Sequence, residues 1–177
     1  MSNVRMLTPE APEKTTAYRV GGATLFFAAG VILVALAFEH LGGYTPCPLC
    51  LMQRYAYYAA IPLLFVAMAL TSEMPRLAAF LFFAVALAFL GNAGLGVYHA
   101  GAEWKFWPGP TTCGTVQSLP TSASDLLSSL ADSRVVRCDE APWTFAGLSF
   151  AGWNVVASLV AFTGALKAAF LSATARD

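Results

Sequence analysis

Four long stretches of this chain contain no Asp, Glu, Lys or Arg. They run over 20–38, 55–72, 77–102 and 141–166, and are bracketed by Arg19 and Glu39, Arg54 and Glu73, Arg76 and Glu103, and Glu140 and Lys167. A helix of about 20 apolar residues crosses the hydrocarbon core of a bilayer. A lone segment in lipid must satisfy its own backbone hydrogen bonds, and a helix does so. The expected fold is an all-α integral membrane protein, one domain over 1–177. It is a four-transmembrane-helix bundle with spans at about 20–38, 51–72, 77–100 and 143–166. Pro62 falls inside the second span, where a membrane helix tolerates it with a kink. Composition agrees: 58% of residues are hydrophobic and 11% charged, against about 25% charged in a soluble domain. That balance is the reverse of a disordered chain. Ten basic against ten acidic residues leave no net charge, so no nucleic-acid footprint is expected.

Ala35-Leu36-Ala37 resembles a signal-peptide cleavage site. The run is longer than a signal core, and Glu10 and Glu13 are out of place before one, so the first span is read as uncleaved. Lys and Arg near the helix ends set orientation. Arg5, Lys14, Arg19, Arg76, Lys167 and Arg176 fall on the side of the termini. Lys105, Arg134 and Arg137 fall on the other side, with Arg54 at a helix start there. The bias puts both termini inside and makes 39–53 and 101–142 the outer loops. Tyr55, Tyr57, Tyr58, Trp104, Trp107 and Trp143 lie near span ends, as interfacial or packing aromatics.

Each outer loop carries two cysteines, Cys47 and Cys50 in the first and Cys113 and Cys138 in the second. If the outer face is oxidising, disulfides persist there, and two is the natural count. Cys47-Pro48-Leu49-Cys50 has the C-x-x-C spacing of redox-active thiol pairs. Pro48 suits the first position of the second helix, with Cys47 as its cap. Cys50 then lies in the first turn, where exposed N–H groups and the helix dipole favour a thiolate. Arg54, four residues on, shares a face with Cys50. It adds positive charge and a donor for a ligand carbonyl, or else snorkels at a helix end.

Zinc sites usually combine two close pairs, whereas Cys113 and Cys138 are 25 residues apart, so no metal is expected. A c-type haem needs a histidine after Cys50, and Leu51 stands there. Ser122 and Asp125 have capping-box-like spacing, and Leu126, Leu127 and Leu130 follow, so 122–131 reads as a short loop helix. The second cysteine pair is either a structural staple or a second redox station. Thiol–disulfide exchange passes electrons between pairs through mixed disulfides. Beside lipid, a quinone is the apt final acceptor.

The motifs Cys47-Pro48-Leu49-Cys50-Leu51-Met52-Gln53-Arg54, Tyr98-His99-Ala100-Gly101-Ala102-Glu103, Trp107-Pro108-Gly109-Pro110-Thr111-Thr112-Cys113 and Cys138-Asp139-Glu140-Ala141-Pro142-Trp143 resemble those of the disulfide bond formation protein B family. Gly147-Leu148-Ser149 and Phe38-Glu39-His40 fit as well, and the likeness covers about 18–167. The resemblance implies a quinone-dependent protein dithiol oxidase of the bacterial inner membrane, with periplasmic cysteines and cytoplasmic termini. It implies redox disulfides Cys47–Cys50 and Cys113–Cys138. A periplasmic DsbA-like thiol oxidase is the implied partner, with Cys113 forming the mixed disulfide and Cys47–Cys113 as intermediate. Ubiquinone or menaquinone from the membrane pool is the implied acceptor, facing Cys50 and held by Arg54, with His99 nearby. The roles of His99 and Glu103 stay open. Competing readings are a non-catalytic membrane scaffold with two structural disulfides, a relative serving a different thiol oxidase, and a reductase of the vitamin K epoxide type. In the last, the C-x-x-C lies on the final helix.

Overall fold

The computed structural model describes residues 12–109 and 138–175. Four helices among them are long and apolar enough to cross a membrane. They are α1 (Pro12–His40), α2 (Pro48–Leu70), α3 (Pro75–Glu103) and α4 (Phe150–Thr174). The protein is an all-α four-span membrane bundle. Each helix packs on the next in chain order, and α4 closes the ring against α1. Cys113 and the helix expected over 122–131 lie outside the described residues.

Local chemistry sets the helix starts. Pro48 and Pro75 open α2 and α3, positions where proline's missing N–H costs nothing. Cys47 caps α2, its sulfur accepting the Cys50 N–H at 3.2 Å. The α2 helix continues through Pro62. The fourth helix starts at Phe150, later than the expected 143. The chain first turns through a small hairpin, β1 (Thr144–Phe145) and β2 (Leu148–Ser149), paired antiparallel. Its two turn residues, Ala146 and Gly147, have φ of 52° and 81°, the left-handed pair that a two-residue hairpin turn uses. Ser149 then caps α4 by accepting the Gly152 N–H at 3.2 Å.

Lipid tails are as apolar as leucine, so packing rather than water exclusion holds the helices together. The seams are accordingly built of small residues, among them Ala28, Ala60, Ala67, Ala86, Ala161, Ala165 and Ala168, all buried. Phe82, Phe89 and Leu64 fill the centre. At Gly96 of α3, an added Cβ would meet Val155 of α4 at 2.8 Å. Large apolar side chains such as Phe26, Phe65, Phe80 and Phe170 point outward, where the lipid lies. Polar groups inside the bundle bond each other across helices. The Tyr57 hydroxyl donates to Asn154 Oδ1 at 3.0 Å, and Asn92 Nδ2 donates to Ser158 Oγ at 3.0 Å. Tyr57 is therefore a core residue, whereas Tyr55 and Tyr58 are exposed.

After α3 the chain folds back on itself. The Trp107 indole N–H donates to the Tyr98 carbonyl at 2.8 Å, and the two rings stack at 6.0 Å. A Cβ at Gly101 would overlap the Trp107 ring. Gly101→Ala is expected to expel that ring and to cost about 1–3 kcal/mol, the usual penalty of overpacking. Thermal unfolding in detergent should shift down accordingly, and tryptophan emission should shift with it. An unchanged transition would mean that the Trp107 clasp contributes nothing.

Candidate active site

The helix order places the C-terminal ends of α1 and α3 beside the N-terminal ends of α2 and α4. Cys47, Cys50, Arg54, His99 and Cys138 are gathered at this end. Cys47 and Cys50 are free thiols with sulfurs 2.9 Å apart. Cys138 is disulfide-bonded and buried, and it packs with Cys47 and Leu49, with Cys50 and Leu95 against them. Cys138, from the second outer loop, therefore adjoins the Cys47–Cys50 pair of the first.

His99 reaches this cluster from the last turns of α3. Its Nε2 lies 3.6 Å from the Cys47 sulfur, and its Nδ1 lies 3.1 Å from Gln53 Nε2. Cys47 is buried, yet its thiol is held well below the ordinary thiol range. The principal cause is the Cys50 thiol bonding to it; His99 and the Cys50 backbone N–H act in the same direction, against burial. The donors thus converge on Cys47, whereas the helix-dipole reasoning had favoured a thiolate at Cys50. The cap geometry accounts for this: the first-turn N–H of Cys50 points back to the capping sulfur.

Arg54 is also placed differently from its sequence reading. It is ion-paired with Glu39 of α1, and its Nη2 donates to the Ala35 carbonyl at 3.4 Å. Its charge is balanced by a carboxylate rather than left to bias a thiol. The sequence gives little sign of this pairing, because Glu39 appears there as the boundary of an apolar run.

Two further contacts were not foreseen. Glu103 Oε1 lies 3.7 Å from His99 Nε2, with both side chains nearly fully buried, and the Ser149 hydroxyl donates to Glu103 Oε2. The spacing of His99 and Glu103, four apart on a helix, was legible; the partner from α4 was not.

A cavity of about 740 Å³ lies against this cluster. Cys47, Cys50, Arg54, His99 and Glu103 line one part of it. Phe38, Trp143 and Phe150 stand together at its wall, ring centroids 4.8–5.2 Å apart. Phe26 and Val34 of α1, with Val156 and Val160 of α4, border it and are outwardly exposed. The cavity is therefore mainly apolar, borders the lipid-facing surface, and carries its polar groups beside the thiols.

Cys47, Cys50 and His99 also place donor atoms within 4.8 Å of one another. Two thiolates on one tetrahedral zinc sit about 3.8 Å apart, from Zn–S bonds of about 2.3 Å. Sulfurs at 2.9 Å suit a pair poised between dithiol and disulfide better.

The family model described as disulfide bond formation protein DsbB matches residues 19–168 of this chain. The disulfide bond formation protein B of Methylococcus capsulatus is 32% identical over 155 residues, covering 84% of this chain and 89% of that protein. That of Aromatoleum aromaticum is 32% identical over 139 residues, covering 72% and 77%. That of Albidiferax ferrireducens is 29% identical over 135 residues, covering 72% of each. No solved structure matches.

His99→Ala is expected to raise the pH at which the reduced pair becomes reactive to iodoacetamide. A hydrogen bond to a charged group is worth about 1.5–3 kcal/mol, and one pKa unit is about 1.4 kcal/mol. The midpoint should therefore move up by about 1–2 pH units, read by mass spectrometry of alkylated Cys47. A midpoint that stays put would show that His99 does not act on this thiol.

Proposed function

The chain belongs to the disulfide bond formation protein DsbB family, and on that premise we propose that it is a quinone-dependent protein dithiol oxidase. It re-oxidises a DsbA-like thiol oxidase and passes the electrons to the membrane quinone pool. The observation that carries this reading is the placing of a free C-x-x-C pair on an apolar cavity bordering the lipid-facing surface.

The cavity suits a quinone in size and in lining. Small-molecule sites run to about 300–1,000 Å³ and are mostly apolar with a few placed polar groups. The rings of Phe38, Trp143 and Phe150 offer flat surfaces to a quinone head, and Arg54 offers N–H donors to a carbonyl. The apolar stretch along α1 and α4 suits an isoprenoid tail. A bound quinone supplies an acceptor for two electrons and two protons; ubiquinone and menaquinone both qualify.

The protein residues do the rest. Cys113 exchanges with the reduced partner, and Cys138 is the thiol released. Cys138 lies in one buried cluster with Cys47, so transfer to the first pair, through a Cys47–Cys113 bond, needs no long movement at that end. Cys47 and Cys50 then close their own disulfide. Cys50 faces the acceptor, and Arg54 orients it while Glu39 fixes the guanidinium. The cysteines face the periplasm and the termini face the cytoplasm of a bacterial inner membrane, as the Lys and Arg distribution favours. A scaffold with two structural disulfides would have no use for two adjacent free thiols beside a histidine.

Cys50→Ala is expected to abolish quinone reduction by the reduced partner while leaving the bundle folded, since the side chain is only partly buried. Arg54→Met should raise the KM for quinone about tenfold, the loss of about 1.4 kcal/mol of binding. In native membranes, mass-shifting maleimide should find all four cysteines oxidised with quinone present and reduced after quinone depletion. Cysteines indifferent to quinone would defeat the proposal.

A further inference from the structure

Glu103 is a carboxylate where a membrane protein has least reason to keep one, packed inside the bundle at the thiol-bearing end of α3 and with its side chain almost fully buried. Its contacts are the Ser149 hydroxyl and His99 Nε2, neither of them a fixed cation. The same Nε2 faces the Cys47 sulfur. When the Gln53 amide donates to Nδ1, that nitrogen is filled, and His99 is neutral with its proton on Nε2. The N–H then lies between two acids, the Cys47 thiol and the Glu103 carboxyl. His99 in this state donates to either one but takes up no further proton without breaking its bond to Gln53. A proton leaving Cys47 therefore needs another holder, and Glu103, facing the same Nε2, is a group able to be one.

We propose that Glu103 is the proton acceptor for Cys47, with the Nε2–H of His99 hydrogen-bonding whichever of the two carries the negative charge. One negative charge is thus shared between a sulfur and a carboxylate across a single N–H. Ser149 holds the carboxylate in reach. This rests on the function proposed above, which supplies the oxidant. When Cys47 and Cys50 close their disulfide, two S–H bonds break and one S–S bond forms. Two electrons and two protons leave the pair, the Cys47 proton by way of Glu103, and the quinone takes all four to become quinol. Glu103 borders the same cavity as Cys50, so the held proton need not escape to water. The other ionisable groups lining the cavity are Cys50, Arg54 and Tyr57 from α2, Glu39 from α1, Tyr44 from the loop between them, and Glu140 from the segment after Cys138. Arg54 and Glu39 are paired with each other, and Cys50 is the second proton donor rather than an acceptor. The side chains that α4 brings near, Ser149 and Asn154, do not ionise.

The test starts with reduced, quinone-free protein in detergent. The alkylation rate of Cys47 is followed against pH in wild type, Glu103→Gln and Glu103→Asp. Coupled acids titrate in two macroscopic steps, so wild type and Glu103→Asp should show a two-step curve. Glu103→Gln should show one step at lower pH, with alkylation at pH 6 several-fold faster because the competing charge is gone. Quinone reduction is then measured against pH. Glu103→Gln should lose at least tenfold in kcat at neutral pH, and the acidic limb of the profile should vanish; Glu103→Asp should retain that limb. If Glu103→Gln does not fold, Ser149→Ala keeps the carboxylate and removes its donor, and should move the limb to higher pH. Identical thiol titrations in wild type and Glu103→Gln would overturn the proposal, as would a uniform loss of rate with the acidic limb intact, or a limb unmoved by Ser149→Ala. Failure of the wild type to reduce quinone would count against the proposed function alone, since the thiol titration is read without quinone.

Discussion

A polypeptide in hydrocarbon has no water to fall back on for its polar groups, and the rest of this structure follows from that. Four segments become helices because only a helix closes its own hydrogen bonds. The helices meet through alanine and glycine because lipid gives no hydrophobic reason to meet, and close contact must supply the attraction. Asn92, Tyr57, Asn154 and Ser158 bond one another across three helices for the same reason. Reactive groups are confined to one end of the bundle, where helix termini offer unpaired N–H groups. The Cys47–Cys50 pair is mounted on such a terminus, and the sulfur of Cys47 is itself the cap that terminus requires.

The spans, their number and their alternation were legible in the sequence because charge-free runs of that length have few other uses. The start of the fourth helix was not. Trp143 and the residues after it are as apolar as the helix that follows, so hydropathy could not separate hairpin from span; Gly147 was the available sign. Tyr57 was equally ambiguous, since an interfacial and a buried tyrosine look alike in sequence until the partner, Asn154, is brought beside it. At the site, the thiol pair, its cap and Arg54 could be read from spacing alone, being local to one helix turn. Glu39 against Arg54, Gln53 against His99, and Ser149 against Glu103 could not. Each depends on how helices are placed about one another, which spacing within one helix does not record.

The site is built around balanced charge. Arg54 is matched by Glu39, and the negative charge near Cys47 is shared through an imidazole N–H. Isolated charges are costly beside lipid, where their desolvation is not repaid. A pair that changes oxidation state must nevertheless gain and lose protons there. Placing an acid, a histidine and a thiol in contact lets a proton move a few ångströms with no net change in the charge of the cluster. Cys138 follows the same economy of distance: it is packed in one buried cluster with Cys47 and Leu49.

Ser149 has two tasks, capping α4 and donating to Glu103. Tyr57 likewise finds its partners on α4. During synthesis α4 leaves the ribosome after the other three helices. Until it inserts, the first three helices carry a buried acid and a phenol without these partners. The bonded polar network of the core, and with it the ordered surroundings of Cys47, is complete only once α4 has joined the other three helices. A growing chain thus does not display a finished thiol centre before α4 is in place.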